Sequence, residues 1–426
     1  MNDPVLRRVT ADEVSRLDRS PVDPAALAVA APIVEAVRCG GLEAAADEGR
    51  RLGDLEADAP VIHDGAACAA ALAALPPEQR ALLRRIGGRI EAFARGQLQC
   101  LGALTVGLPG GRAGHEIAPV DAAGCYAPGG RFPLPSSVLM TAATAQVAGV
   151  RRVWVASPRP TIVTLAAAAV SGADGLVALG GAQAIALLAF GGGPVPPCDV
   201  VAGPGNAYVT AAKFLVSAHT GIDMLAGPSE LVVVADGAAD PRTVAADLLA
   251  QAEHDPQALP VLVAMNEAVA DAVDEALAAA LPTLPTRDTA AAALRRGLCV
   301  IARDASEAAA VCNRLAPEHL QLSVARPELL RPLLRHFGAL FLGTGACEVL
   351  GDYGLGPNHV LPTGGGARRS GGLSVLTFLR VRTFIEINDP AGARDVLEDA
   401  AALADLEGLA AHAAAARARI NSDLAR

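Results

Sequence analysis

Beyond residue 119 the hydrophobic pattern switches repeatedly between two periods. Short apolar runs at 152–156, 175–179 and 199–202 predict strands, and longer segments at 161–170, 182–190 and 205–216 predict helices. A helix over 138–150 is signalled by Pro135 and Ser136 at its start and Gly149 at its end. After the turn Gly227-Pro228-Ser229 the alternation resumes. Strands are expected at 231–235, 259–264, 298–302, 319–323 and 339–342, with helices at 268–280, 306–315 and 329–334 and one closing on Gln251 and His254. Short apolar strands alternating with helices of this length predict an α/β fold, with parallel sheets covered on both faces. In such sheets ligand loops sit at the carboxyl ends of strands. Three polar turns are assigned there: Gly180 to Gln183, Gly203 to Asn206, and Gly227 to Ser229.

The flanks read differently. Residues 1 to about 100 are mainly helical, and 76–97 is amphipathic, with Leu82, Leu83, Ile86, Ile90 and Phe93 on one side. That is sufficient for a surface or dimer-contact helix. Residues 375–387 are mixed, and the end from Ala391 is helical and alanine-rich.

Composition narrows the function classes. Only 3% of residues are aromatic although 52% are hydrophobic, so Ala, Val and Leu build the core. The net charge is −10, Lys213 is the only lysine, and the arginines form no stripe, which argues against nucleic acid. None of the eight cysteines is spaced C-x-x-C, so neither a disulfide framework nor a thiolate zinc site is expected. No uninterrupted apolar run long enough for a membrane span and no signal-type h-region is seen, which points to a cytoplasmic protein. No G-x-G-x-x-G occurs, so any dinucleotide would bind without the usual fingerprint.

The candidate chemistry lies in four places. A helix turns by roughly 100° per residue, which puts Gln251 and His254 on the inward face with Val244 and Leu248, and Glu253 opposite. Glu318-His319 begins a short strand and is an acid–base candidate. Asp352-Tyr353 and Asn358-His359 share a Gly-rich loop, and Glu407 and His412 lie on the last helix. Imidazole and carboxylate groups suit zinc. Each residue taken alone also has a plainer reading. Ser229 suits a turn, Gln183 and Asn206 suit helix caps, Tyr126 an interface ring, Asp352 a loop cap, and Glu407 and His412 an exposed helix. His63, His115, His219 and His336 read as solvated or core-satisfied.

Together these segments resemble the histidinol dehydrogenase family. The resemblance is carried by YAPGGRFPLPSSVLM (126–140), GGAQAIALLAFG (180–191), GPGNAYVTAAK (203–213), IDMLAGPSELVVVAD (222–236), DLLAQAEHDP (247–256), APEHLQL (316–322), GDYGLGPNHVLPTGG (351–365) and EGLAAH (407–412). They span roughly residues 80–415 in order. Gly191-Gly192 stands where the family usually has Gly-Thr, and the first 75 residues match poorly.

The resemblance implies two Rossmann-like parallel-sheet domains with helical N- and C-terminal segments, in an intertwined homodimer. The expected divisions are 1–20, 21–118 plus 231–370, 119–230 on the cofactor side, and 371–426 reaching the partner. It implies one Zn2+ per subunit on Gln251, His254, Asp352 and His412. Substrate contacts fall on Ser229, His319, His359 and Glu407 together with those ligands, and NAD contacts on Tyr126, Gln183 and Asn206. Glu318 and His319 are the implied catalytic pair, and Glu407 and His412 act in trans. The implied reaction is the oxidation of L-histidinol to L-histidine through the aldehyde, with two NAD. Asp247, one turn before Gln251, is expected to hold the His254 ring. The alternatives are a dehydrogenase of another small amino alcohol or polyol, and a zinc hydrolase using Glu318 as base.

Overall fold

A computed structural model describes residues 4–421, apart from 15, 17, 18, 57 and 130–132. The segment quoted from Tyr126 to Met140 therefore lies partly outside the described residues. The strands are β1 (Arg7–Arg8), β2 (Ile62–Asp64), β3 (Leu104–Leu108), β4 (Gly111–Pro119), β5 (Ala122–Tyr126), β6 (Arg152–Ala156), β7 (Gly175–Val177), β8 (Val200–Ala202), β9 (Gly221–Ile222), β10 (Glu230–Ala235), β11 (Leu259–Ala264), β12 (Leu298–Ile301), β13 (His319–Ser323), β14 (Ala339–Leu342) and β15 (Leu379–Ile387). The helices that matter below are α1 (Pro24–Arg51), α2 (Gly181–Phe190), α3 (Ala207–Val216), α4 (Pro241–His254), α5 (Glu348–Asp352), α6 (Arg394–Leu406) and α7 (Ala410–Asn421).

Two compact units form. The larger takes the described residues up to Gly96 and Val120–Phe378. It holds two six-stranded sheets, ordered β1-β12-β11-β10-β13-β14 and β2-β7-β6-β5-β8-β9. The first is parallel throughout, and in the second only β2 runs antiparallel. Strand β10 shows why its residues after Glu230 are uniformly apolar. Leu231, Val233 and Ala235 enter one core with Val244 and Leu248 of α4, while Val232 and Val234 enter the core on the other face.

The expected grouping of residues 21–118 with 231–370 does not match this arrangement. Helix α1 packs on α2 and α3, and β2 joins the sheet of β5 to β9. The cause is its apolar face: Ala26, Ala30, Ile33, Val34 and Val37 enter the core of that second sheet. Helix α1 is long and apolar enough to cross a membrane, but that face is used in the core and a non-helical Gly41 kinks it.

The smaller unit takes Gln97–Pro119 and the described residues from Leu379. It is not purely helical at its C-terminal part. Strand β15 pairs antiparallel with β4, which pairs antiparallel with β3. The alternation Arg380, Arg382, Phe384, Glu386 against Leu379, Val381, Thr383, Ile385, Ile387 is a period of two, and it makes the segment a strand. Helices α6 and α7 pack on each other in the same unit.

Candidate active site

The site is built at the amino ends of β10 and β13. Leu231 pairs with His319, and His319 with Ala339, so Glu230, the first residue of β10, and Glu318, just before β13, stand side by side at the sheet's edge. The Glu230 N–H donates to Glu318 Oε2 at 2.9 Å. Arg19 Nη1 pairs with Glu230 Oε1 at 2.9 Å, and the Gly364 N–H donates to the same oxygen at 3.1 Å. These bonds pin the strand ends together. Gly227 to Ser229 precedes β10, so it lies at an amino end, contrary to the expected carboxyl end. The other two polar turns do follow strands, β7 and β8. A helix packed antiparallel between strands ends where the next strand begins, and α4 therefore brings its last turn to this edge.

Helix α4 starts on the Asp240 cap, which accepts from the Arg242 N–H. Its last turn presents Gln251 and His254. Gln251 is fully buried, and neither amide atom has a hydrogen-bond partner in the protein. A buried primary amide without partners is costly. It marks a place that another group must complete. His254 is the more open member, its side chain 39% exposed, and its Nε2 lies 3.5 Å from Asp352 Oδ2. Glu253 turns away and accepts from Thr286 Oγ1.

Asp352 ends α5 and is the hub. Its Oδ1 lies 4.0 Å from His319 Nε2 and 4.0 Å from His359 Nδ1, and its carbonyl is 2.9 Å from His359 Nδ1. Burial alone would raise this carboxyl. The His254 hydrogen bond and the nearby imidazoles His359 and His319 hold it below the usual range. The His254 ring is raised in turn, first by that bond, against its own burial.

One turn before Asp352 stands Glu348, 2% exposed, with Oε2 unpartnered. Its Oε1 is 3.5 Å from His319 Nδ1, and Glu318 Oε2 is 3.7 Å from the same nitrogen. One ligand atom each from His254, Glu348 and Asp352 lie within 4.8 Å of one another, a spacing that suits one cation. Burial pushes both Glu348 and Glu318 well above the ordinary carboxyl range. Burial also depresses His319 to about 4, which makes it a neutral imidazole at pH 7, and Phe341 of β14 backs its ring at 5.9 Å.

The second sheet closes the site from another side. The helix after β5 carries a π-helical turn, Leu139–Ala143, and just before it Ser137 Oγ meets His359 Nε2 at 3.2 Å. Asn358 Nδ2 donates to the Met140 carbonyl at 2.8 Å. Single π turns inside helices commonly occur at functional sites. Tyr126 ends β5; it is buried, its Oη accepts from the Gly181 N–H at 3.3 Å, and burial pushes its phenol up to about 12. Gln183 is buried on α2, with its Oε1 unpartnered. Asn206 caps α3, accepting from the N–H groups of Tyr208 and Val209. The single lysine is buried behind that loop: Lys213 pairs with Asp223 and donates to the Gly203 carbonyl at 3.0 Å.

The structure thus brings together Gln251, His254, Glu318, His319, Asp352 and His359, and it puts Tyr126 at the end of β5, Gln183 in the first turn of α2 and Asn206 at the cap of α3. Ser229 leads directly into β10. Glu407 and His412 belong to the smaller unit, where both are exposed. Asp247 accepts from Gln321 Nε2 at 2.6 Å, and this bond takes the place of the expected one to His254. Sequence reasoning missed Glu348, although its four-residue spacing from Asp352 was a legible signal for a shared helix face.

A parallel α/β scaffold with buried acid–base groups, three residues spaced for one cation and orphaned amides defines a candidate enzyme active site. The histidinol dehydrogenase family model matches residues 18–420. A histidinol dehydrogenase of Nitrosomonas europaea is 46% identical over 82% of each chain, and one of Caulobacter vibrioides is 44% identical over 93% of this chain and 92% of its own. The crystal structure of histidinol dehydrogenase from Elizabethkingia anophelis superimposes with a TM-score of 0.91 at 30% identity, covering 99% of both chains. The chain belongs to the histidinol dehydrogenase family and is an enzyme of histidine biosynthesis.

Proposed function

We propose that this cytoplasmic enzyme oxidises L-histidinol to L-histidine with zinc and two NAD. The observation that carries the reading is the wholly buried, unpartnered Gln251 amide beside His254 and Asp352, in a chain of this family. The orphaned amide and the nearby imidazole and carboxylate form a donor set that fits zinc. Gln251, His254 and Asp352 would hold the ion, with His412 contributed by a second copy. The unpartnered Gln183 Oε1 supports a cofactor beside Tyr126 and Asn206. When bound, zinc supplies Lewis acidity and positive charge for the substrate's nitrogens, and NAD supplies the hydride acceptor.

The protein's own groups handle the protons. Neutral His319 accepts the hydroxyl proton in the first oxidation, through the Nε2 that faces Asp352. Glu318 takes the proton of the water that attacks the aldehyde, a role suited to a carboxyl whose proton affinity burial has raised. Ser229, His359 and Glu407 position the substrate, and the half-open side at His254 is its entry. Asp352, held ionised by three imidazoles, keeps the cluster attractive to cations.

The test follows NADH during turnover of L-histidinol with zinc. Two NADH per histidine formed, abolished by a chelator and restored by zinc, is the expected result. NADH from other amino alcohols only would move the substrate assignment, and zinc-dependent hydrolysis without NADH would replace the reading.

A further inference from the structure

Asp54 lies in the turn that ends α1, where its N–H donates to the Gly49 carbonyl at 2.8 Å. Its side chain reaches another element. Asp54 Oδ2 accepts from the Gly180 N–H at 3.1 Å and from Gln183 Nε2 at 2.9 Å. It thus caps α2 from a distance of more than a hundred residues, since Gly180 has no side chain to do so. A carboxylate has no hydrogen to donate, so it selects one orientation of the Gln183 amide: the NH2 group faces Asp54 and the carbonyl faces away. That carbonyl oxygen is buried and unpartnered. It lies over Gly181, whose φ is +60° and where an added Cβ would sit 3.0 Å from it.

We propose that Asp54 is a positioning residue for the nicotinamide cofactor, fixing Gln183 so that it offers an acceptor to a cofactor N–H or O–H. This rests on the reading of Tyr126 and Gln183 as cofactor contacts. The cofactor group at this spot is then an amide or a ribose hydroxyl. A phosphate is disfavoured, because Gly180's N–H is already taken and the carboxylate repels it.

The test measures NAD and histidinol affinities by calorimetry on the zinc enzyme, alongside steady-state KM and kcat. Asp54→Ala removes the one oxygen that accepts both bonds and frees the Gln183 amide to turn. NAD affinity should fall by about tenfold, the cost of one misdirected buried hydrogen bond, with histidinol affinity unchanged. Asp54→Asn keeps an amide oxygen where Oδ2 accepts both bonds, so it should hold Gln183 in place and retain most of the NAD affinity. Gln183→Glu alone sets two carboxylates against each other and should be the weakest binder of the three. Unchanged NAD affinity in Asp54→Ala, or no retention of affinity in Asp54→Asn, overturns the role of Asp54 while leaving the cofactor site standing. Absence of NAD binding by the unaltered enzyme overturns both.

Discussion

A carboxyl group buried as deeply as Glu348, with an oxygen left unpartnered, costs stability unless something cationic joins it. Its folded-state proton affinity is raised, so the folded metal-free protein keeps a proton that the unfolded chain releases above about pH 4.5. Stability therefore falls as pH rises past that point. Glu348→Gln removes this penalty. The metal-free variant should resist urea better than the parent at pH 8, while competition with a chelator should show weaker zinc binding. If zinc affinity is unaffected, Glu348 does not belong to the cation cluster. His319 works in the opposite direction. Its folded value near 4 lies below the unfolded value, so the unfolded chain takes up a proton first as pH falls from 6.5. Stability of the metal-free protein should drop by roughly 3 kcal/mol between pH 6.5 and 4 on this account. His319→Asn should flatten that part of the urea-unfolding profile, and an unaltered slope would remove His319 as its source. The sequence made Gln251 and Glu318-His319 legible, because helix phase and adjacency are local properties. Asp54 matters through contact with a distant segment, which no spacing records, and the burial of Glu348 was signalled only by its four-residue spacing from Asp352.

At the scale of elements, the loop carrying Asp352 depends on close packing against the amphipathic helix Pro77–Gln99. Gly354 has φ +79°, and a Cβ there would lie 2.3 Å from Ile86 Cγ2. Gly354→Ala adds left-handed strain to that collision and should cost roughly 1–3 kcal/mol. Because the displaced loop holds Asp352, the variant should also release zinc to a chelator faster. Retention of the parent melting temperature and metal affinity would show that this packing does not position the loop. The same helix was readable as amphipathic from its period, but its partner was not. The alternation of strand and helix was equally plain, since both faces of β10 and β11 are buried and, after Glu230, their sequences are continuously apolar. Three things were not legible. Helix α1 could have served either sheet, since an apolar stripe does not name its partner. The Gly227 turn looked like a strand-end loop because its position depends on which sheet the next strand joins. The antiparallel β3-β4-β15 sheet forms between segments some 260 residues apart, although β15 itself carried a readable period of two.

At the scale of the whole molecule, the smaller unit leaves an unusual amount of apolar side chain in contact with water. Leu406 is 85% exposed, Ile385 76%, Val381 62% and Leu403 59%. Val381 and Ile385 share one face of β15, and Leu403 and Leu406 one face of α6, and large exposed apolar faces mark interaction sites. The expected homodimer would cover them, and it would also give Glu407 and His412 a reason to be exposed on their own chain. The decisive experiment mixes two inactive chains. On the proposed sharing of sites, His412→Ala lacks a residue delivered in trans, and Glu318→Ala lacks one used in cis. Each homodimer then has both sites broken. In a mixed dimer with shared sites, both defects fall in one site and the other site is intact. Random reassortment makes half the dimers mixed, so about a quarter of the parental activity should return. If each chain builds its own site, every site keeps one defect and nothing returns. Leu406→Glu offers an independent check, because a charge at that position should shift sedimentation toward the monomer. Activity should then fall on dilution, and no longer do so in a variant chain covalently tethered to its partner.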